Sequence, residues 1–226
     1  MYSIREKIFD GVVLILMTAS LYLIFMWVPN EKTMGIIQRI FYFHVPSAWT
    51  AFLAFALVFV FSIMYLIKRD DKWDQWANAS AELGLAFCTI VLVTGPIWAK
   101  PVWGIWWTWD ARLTTTLVLW LIFVGYVMVR VYVTEEMKRA RLCAVVGIIG
   151  FLDVPIVYFS IRWWRTQHPS PVMGGGSDSG LAPEMLFAFM FCLVTFTILF
   201  FYLLRKRYAI LQSEAEIQDL YRRLED

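Results

Sequence analysis

Histidine is scarce in this sequence: His44 and His168 are the only two in 226 residues. Cysteine is nearly as rare. Cys88, Cys143 and Cys192 form no CxxC or CxxCH pattern, which removes a dithiol redox site and covalent haem attachment from consideration. Each lies in or beside an apolar stretch and reads as a small core residue. Charge is thin as well, at 17% of residues with a net +2, too little to argue for nucleic acid as a partner.

What fills the space is apolar. Hydrophobic residues make up 60% of the chain and aromatics 18%, and mean hydropathy is +0.63. Soluble domains run nearer half apolar and interrupt their apolar residues. Here the apolar residues form long tracts, so the chain reads as an all-α polytopic membrane protein. A spanning helix needs about 20 apolar residues. Six segments qualify, at roughly 9–28, 46–67, 81–98, 113–133, 142–161 and 185–204. Arg5 and Lys7 before the first tract resemble a signal peptide, but no small-x-small site follows, so a retained first helix is expected.

An even number of spans puts both termini on one side. The flanks on that side hold Lys68, Arg69, Lys72, Lys138, Arg139, Arg141, Arg205, Lys206 and Arg207 among others, and the opposite loops far fewer cations. The positive-inside rule makes both termini cytoplasmic and the loops 29–45, 99–112 and 162–184 external. The organisation expected is a membrane domain over 1–204 and a cytoplasmic tail over 205–226. Ile210, Ile217, Leu220 and Leu224 give the tail helical spacing, fit for the inner leaflet, for a cytoplasmic partner, or for no contact at all.

Trp27, Trp49, Trp98, Trp103, Trp106, Trp107, Trp109, Trp163 and Trp164 then fall at or near the external face, against Trp73 and Trp76 at the inner one. An anchoring belt populates both interfaces, so the asymmetry points to an aromatic platform on one side. Its densest part is KPVWGIWWTWDARLT, between the third and fourth spans. A helical segment there would place Trp103, Trp106, Trp107 and Asp110 on one face, suited to a large planar ligand. Asp110 has a plainer reading as a helix-end carboxylate paired with Arg112.

Both histidines are expected in external loops, each beside proline: His44 before Pro46, His168 before Pro169 and Pro171. They read either as ordinary loop residues or, beside the tryptophans, as two axial nitrogens for a haem iron. Arg39, Arg112, Arg162 and Arg165 are candidates for haem propionates or for lipid headgroups. No histidine is expected inside a span, which excludes a respiratory cytochrome b.

The run TGPIWAKPVWGIWWTWDARLT (94–114) resembles the tryptophan-rich WWD signature of haem-handling proteins. With IQRIFYFHVPSAW (37–49) and DVPIVYFSIRWWRTQHPS (153–170), it resembles the CcmC family of system I cytochrome c maturation over about residues 36–205. The resemblance implies a haem-binding and delivery protein more than a conventional enzyme, in the bacterial inner membrane with its site facing the periplasm. It implies His44 and His168 as ligands of a non-covalent haem b. Trp103, Trp106, Trp107, Trp109 and Asp110 would form the platform, with Arg112 beside them. The implied partners are the periplasmic haem chaperone CcmE and the ABC transporter CcmA with CcmB, besides membrane lipid.

Two rival readings stand beside it: a permease subunit for an amphipathic solute, and a membrane-embedded transferase using Asp110 as a base. Asp153, inside the fifth span and two residues before Pro155, is a functional candidate by default. The family commonly carries Asn there, which favours hydrogen bonding to carbonyls freed by Pro155. The loop MGGGSDSG (173–180) reads as a flexible linker.

Overall fold

The computed structural model describes residues 4–164, 168 and 181–225, and these residues form an all-helical bundle. Helix α1 (Ile4–Tyr22) widens into a π-turn at Leu23–Trp27. A 3-10 turn (Ile36–Ile40) leads into α2 (Phe41–Lys68), followed by α3 (Asp71–Trp103), α4 (Ala111–Tyr132), α5 (Glu136–Trp163) and α6 (Pro183–Glu225). Six helices among the described residues are long and apolar enough to cross a membrane, matching the six expected spans. In hydrocarbon every backbone polar group must be satisfied within the chain, and a helix does this by itself.

The helices run longer than hydropathy alone indicates. The third expected span, 81–98, sits inside a 33-residue helix, about 50 Å long at 1.5 Å per residue. Its extra turns are polar, and a hydropathy window does not see them. Asp70 starts the helix, its carboxylate accepting from the Lys72 amide at 3.1 Å. The Lys72 ammonium and amide hold the Asp70 carboxyl below the usual carboxylate range. Arg69, at φ 55°, makes the left-handed turn that closes α2. Helix α6 runs unbroken for 43 residues. Beyond 204 it stays tied to the bundle. Arg207 pairs with Glu82 of α3, with N···O contacts of 2.5 and 3.0 Å, Tyr208 stacks on Trp76 at 3.8 Å, and Arg222 pairs with Glu136 of α5.

Helix α2 lies at the centre, against α3, α5 and α6. Its seam with α3 is made of small residues: Ala51, Ala54, Ala77, Ala81 and Gly84. Small residues let helices approach closely where lipid supplies no hydrophobic drive. At Gly84 the approach is complete: an added Cβ would lie 2.6 Å from Phe55 Cε1. Phe55 cannot yield, because it is fully buried and stacked on Phe123 of α4 at 3.8 Å. Farther from the histidine end of the bundle, Arg130 of α4 makes a bidentate pair with Asp74 of α3 at 2.5 and 2.6 Å and donates to Tyr126 Oη at 2.8 Å. The α1–α2 connection is also pinned. Arg39 donates to the Phe25 carbonyl at 3.0 Å and to Asn30 Oδ1 at 3.3 Å, which satisfies the end of the π-turn.

The seam makes a direct prediction. Gly84→Ala forces Phe55 out of its stack, an overpacking that costs about 1–3 kcal/mol, so thermal unfolding in detergent should begin at lower temperature. Gly125→Ala, where an added Cβ meets nothing within 4 Å, should leave the transition unchanged or raise it slightly.

Candidate functional site

His44 does not lie in a loop. The apolar residues Ile36, Ile37, Ile40 and Phe41 carry the helix back past Pro46, and Phe41 packs on Phe189 of α6 at 4.9 Å. His44 is thus in the first turns of α2, on the face toward α3, and only 8% exposed. Its Nδ1 is 2.8 Å from Thr94 Oγ1, which also donates to the Ile90 carbonyl at 2.7 Å. The Trp98 ring stands edge-on at 5.7 Å. Gly95 of α3 faces the imidazole, and an added Cβ there would come only to ordinary contact with His44 Cε1, at 3.6 Å.

The tryptophan-rich segment departs from the helical expectation. Gly104 adopts φ 76°, a left-handed cap that donates its amide to the Lys100 carbonyl at 2.9 Å and stops α3 at Trp103. Residues 104–110 are not helical, so Trp103, Trp106, Trp107 and Asp110 do not share one helical face. Trp103 closes α3. Trp106 and Trp109 stand out, 58% and 75% exposed, and Trp107 packs edge-to-face on Trp109 at 5.6 Å. Asp110 caps α4: Oδ1 accepts from the Leu113 amide at 3.1 Å and Oδ2 from the Thr108 hydroxyl at 3.0 Å. Asp110 is therefore a helix-end carboxylate, in line with its plainer reading, but Arg112 turns away from it. The guanidinium donates to the carbonyls of Val157 and Tyr158 at 3.3 and 3.1 Å, bracing α4 against α5.

These elements surround one cleft of about 900 Å³, counted out to its mouth. His44, His168, Trp103, Asp110 and Arg112 all line it. Trp106, Trp107 and Trp109 do not; they sit on the segment that rims it. Below His44 the walls are apolar, from Ala48, Ala51, Phe52, Val91 and Leu92 down to Cys88, seven residues or about 10 Å along α3 from Gly95. The apolar walls and the few polar groups at one end are those of a site for a mostly apolar ligand. Thr94 and Thr116 belong to the site or touch it, and sequence reasoning had not singled them out; Trp98 had counted only as one external indole among nine. For Thr94 the available signal was a hydroxyl one helical turn from Trp98 and beside a Gly-Pro step.

Other expected residues fall elsewhere. Arg39 is engaged with Phe25 and Asn30. Arg162 stands over Tyr158 and Phe159 at 6.0 and 5.8 Å. Asp153 is buried in α5, with Oδ2 lacking a hydrogen-bond partner among the described residues. Arg165, Pro169, Pro171 and the 173–180 loop lie outside the described residues. Among the described residues no three His, Cys, Asp or Glu side chains gather as a metal cage. Two imidazoles on one cleft suit instead a metal that arrives already held in a planar ligand.

The family model described as Heme exporter protein C matches residues 3–221. Heme exporter protein C of Bradyrhizobium diazoefficiens is 35% identical over 173 residues, 76% of this chain and 65% of that protein, so the match spans just under two thirds of that relative's length. Heme exporter protein C of Escherichia coli is 32% identical over 194 residues, 84% of this chain and 77% of its own. A ccmC-like mitochondrial protein of cytochrome c biosynthesis from Marchantia polymorpha is 31% identical over 197 residues, with 86% and 84% coverage.

The capping geometry of Asp110 yields a test. Asp110→Ala removes both acceptors and should cost about 1 kcal/mol of stability, read as a lower thermal midpoint. Asp110→Asn keeps an acceptor for the Leu113 amide and should stay close to the parent.

Proposed function

Because the chain belongs to the heme exporter protein C family, we propose that it holds haem b in the cleft between α2 and α3 and passes it to a haem chaperone during cytochrome c maturation. One observation carries this reading: His44 and His168, far apart in sequence, line the same cleft. The residues present fit the group. Two imidazoles stand at one end, Trp98 and Trp103 offer flat apolar surface, and small side chains leave depth below. Arg112 Nε is buried without a hydrogen-bond partner among the described residues, a donor still to be used.

In this reading His44 and His168 are the axial ligands, and haem supplies the iron that they coordinate. Arg112 meets a propionate. Trp103 forms the wall of the platform. Trp106, Trp107 and Trp109, on the non-helical rim, extend it outward to where an acceptor protein docks. Exposed indoles are frequent anchors at protein interfaces. Asp110 acts by fixing the start of α4 and so the position of Arg112, two residues on. With both oxygens hydrogen-bonded, it is poorly placed as the base that a transferase needs.

The site end faces the periplasm of a bacterial inner membrane, and the chaperone CcmE is the acceptor. CcmA with CcmB acts with the chain as the transporter partner, and the α6 extension over 205–225 forms a cytoplasmic unit available to it. The protein binds, orients and hands over, and carries out no bond chemistry of its own. An absorption spectrum of the detergent-purified protein with haem tests this. A six-coordinate, low-spin spectrum is expected for the parent, turning high-spin or disappearing in His44→Ala and in His168→Ala. Failure of the parent to take up haem even on reconstitution, or a spectrum indifferent to both changes, contradicts the assignment.

A further inference from the structure

We infer that Thr94 is a positioning residue that holds His44 as the tautomer protonated on Nδ1, so that Nε2 presents a lone pair to the cleft. This rests on the reading of His44 as an axial ligand and adds to it the group that makes the ring competent to bind.

The single hydroxyl proton of Thr94 ties the tautomer of the ring to the direction of the hydroxyl. Thr94 has one hydroxyl hydrogen and three partners within hydrogen-bond reach. It is 2.7 Å from the Ile90 carbonyl, the ordinary back-bond of a helical threonine, 3.4 Å from the Val91 carbonyl, and 2.8 Å from His44 Nδ1. A carbonyl can only accept. When the hydroxyl donates to Ile90, its oxygen must accept from the ring, and Nδ1 carries the proton. The opposite arrangement would turn the hydroxyl toward Nδ1 and put the N–H on Nε2, the other nitrogen of a ring that lines the cleft. A nitrogen that carries hydrogen cannot coordinate a metal.

The setting favours the first arrangement. Turning the hydroxyl to Nδ1 would give up its 2.7 Å bond to the Ile90 carbonyl, whereas donating to Ile90 keeps that bond and still engages the buried ring. Trp98 stands edge-on to the ring at 5.7 Å and Thr94 holds Nδ1, which fixes the ring plane against α3. Free imidazole side chains in water prefer the Nε2–H tautomer, so the preference here has to be imposed, and Thr94 is the group that imposes it. The choice of a hydroxyl also matters. A carboxylate partner raises the basicity of a ligating imidazole and tightens the metal bond. A threonine oxygen orients the ring without adding charge, which suits a site that must release what it holds.

The test uses the full chain in detergent, labelled with ¹⁵N-histidine. With only two histidines, His168→Ala assigns the spectrum. In the haem-free protein His44 is expected as Nδ1–H with a bare Nε2. Thr94→Val, which keeps the shape and loses the hydroxyl, should shift the ring toward Nε2–H, and Thr94→Ser should restore the parent pattern. Haemin titrations should show Thr94→Val weakened on the order of tenfold or more, with Thr94→Ser near the parent. An Nε2–H ring in the parent overturns the inference, and that measurement needs no variant to fold. Parent-like haem binding by Thr94→Val, beside its loss in His44→Ala, overturns the role of Thr94 and leaves the ligand assignment standing. A haem spectrum unchanged by His44→Ala overturns the ligand assignment, and the role of Thr94 falls with it.

Discussion

The close packing of α2 against α3 is the constraint on which the rest depends. In the middle of the seam Gly84 lies so near Phe55 that no side chain fits between the helices. Toward the His44 end small residues line the seam again, but there they border a cleft. A tight contact below and an open one above make a wedge between two helices, closed on its other sides by α4 and α5. Helix α4 is set by the Phe55–Phe123 stack and the Arg130–Asp74 pair, α5 by Arg112 reaching to Val157 and Tyr158. A polar end on an apolar wedge is the form of site that an amphipathic, planar ligand needs.

The same packing explains why an imidazole is tolerated in an apolar bundle. Burying a polar group without a hydrogen-bond partner costs on the order of 2–7 kcal/mol. The Thr94 hydroxyl removes half of that problem by engaging Nδ1. The other nitrogen is left to the cleft and whatever fills it. Three charged groups at the site end have structural roles. Arg39 closes the π-turn, Asp110 caps α4 and Arg112 braces α5. Of the three, Arg112 joins that role to a place on the cleft wall and a buried Nε without a partner among the described residues.

Much of this was legible in the sequence. Six spans follow from tract length, and the pairing of His44 with His168 follows from their scarcity and their place beside the tryptophans. The misreadings have separate causes. Hydropathy locates the apolar part of a helix and is silent about polar turns that continue it, as at the start of α3. His44 reads as a loop residue because Pro46 marks a helix start, although the apolar residues before it continue α2. Trp103–Asp110 erred in the other direction: helical spacing grouped four residues that Gly104, in its left-handed turn, separates. Thr94 drew no notice because a threonine in an apolar run usually satisfies its own helix. Only the distance to a residue 50 positions away reveals its second partner.

The central claim is that both histidines serve one haem in the α2–α3 cleft. A density map of the haem-loaded protein tests it most directly. Iron is expected between His44 Nε2 and His168, with the porphyrin against Trp103 and a propionate at Arg112. Haem seated on the outer surface of the bundle, or bound in the cleft without His44 on the iron, would contradict it.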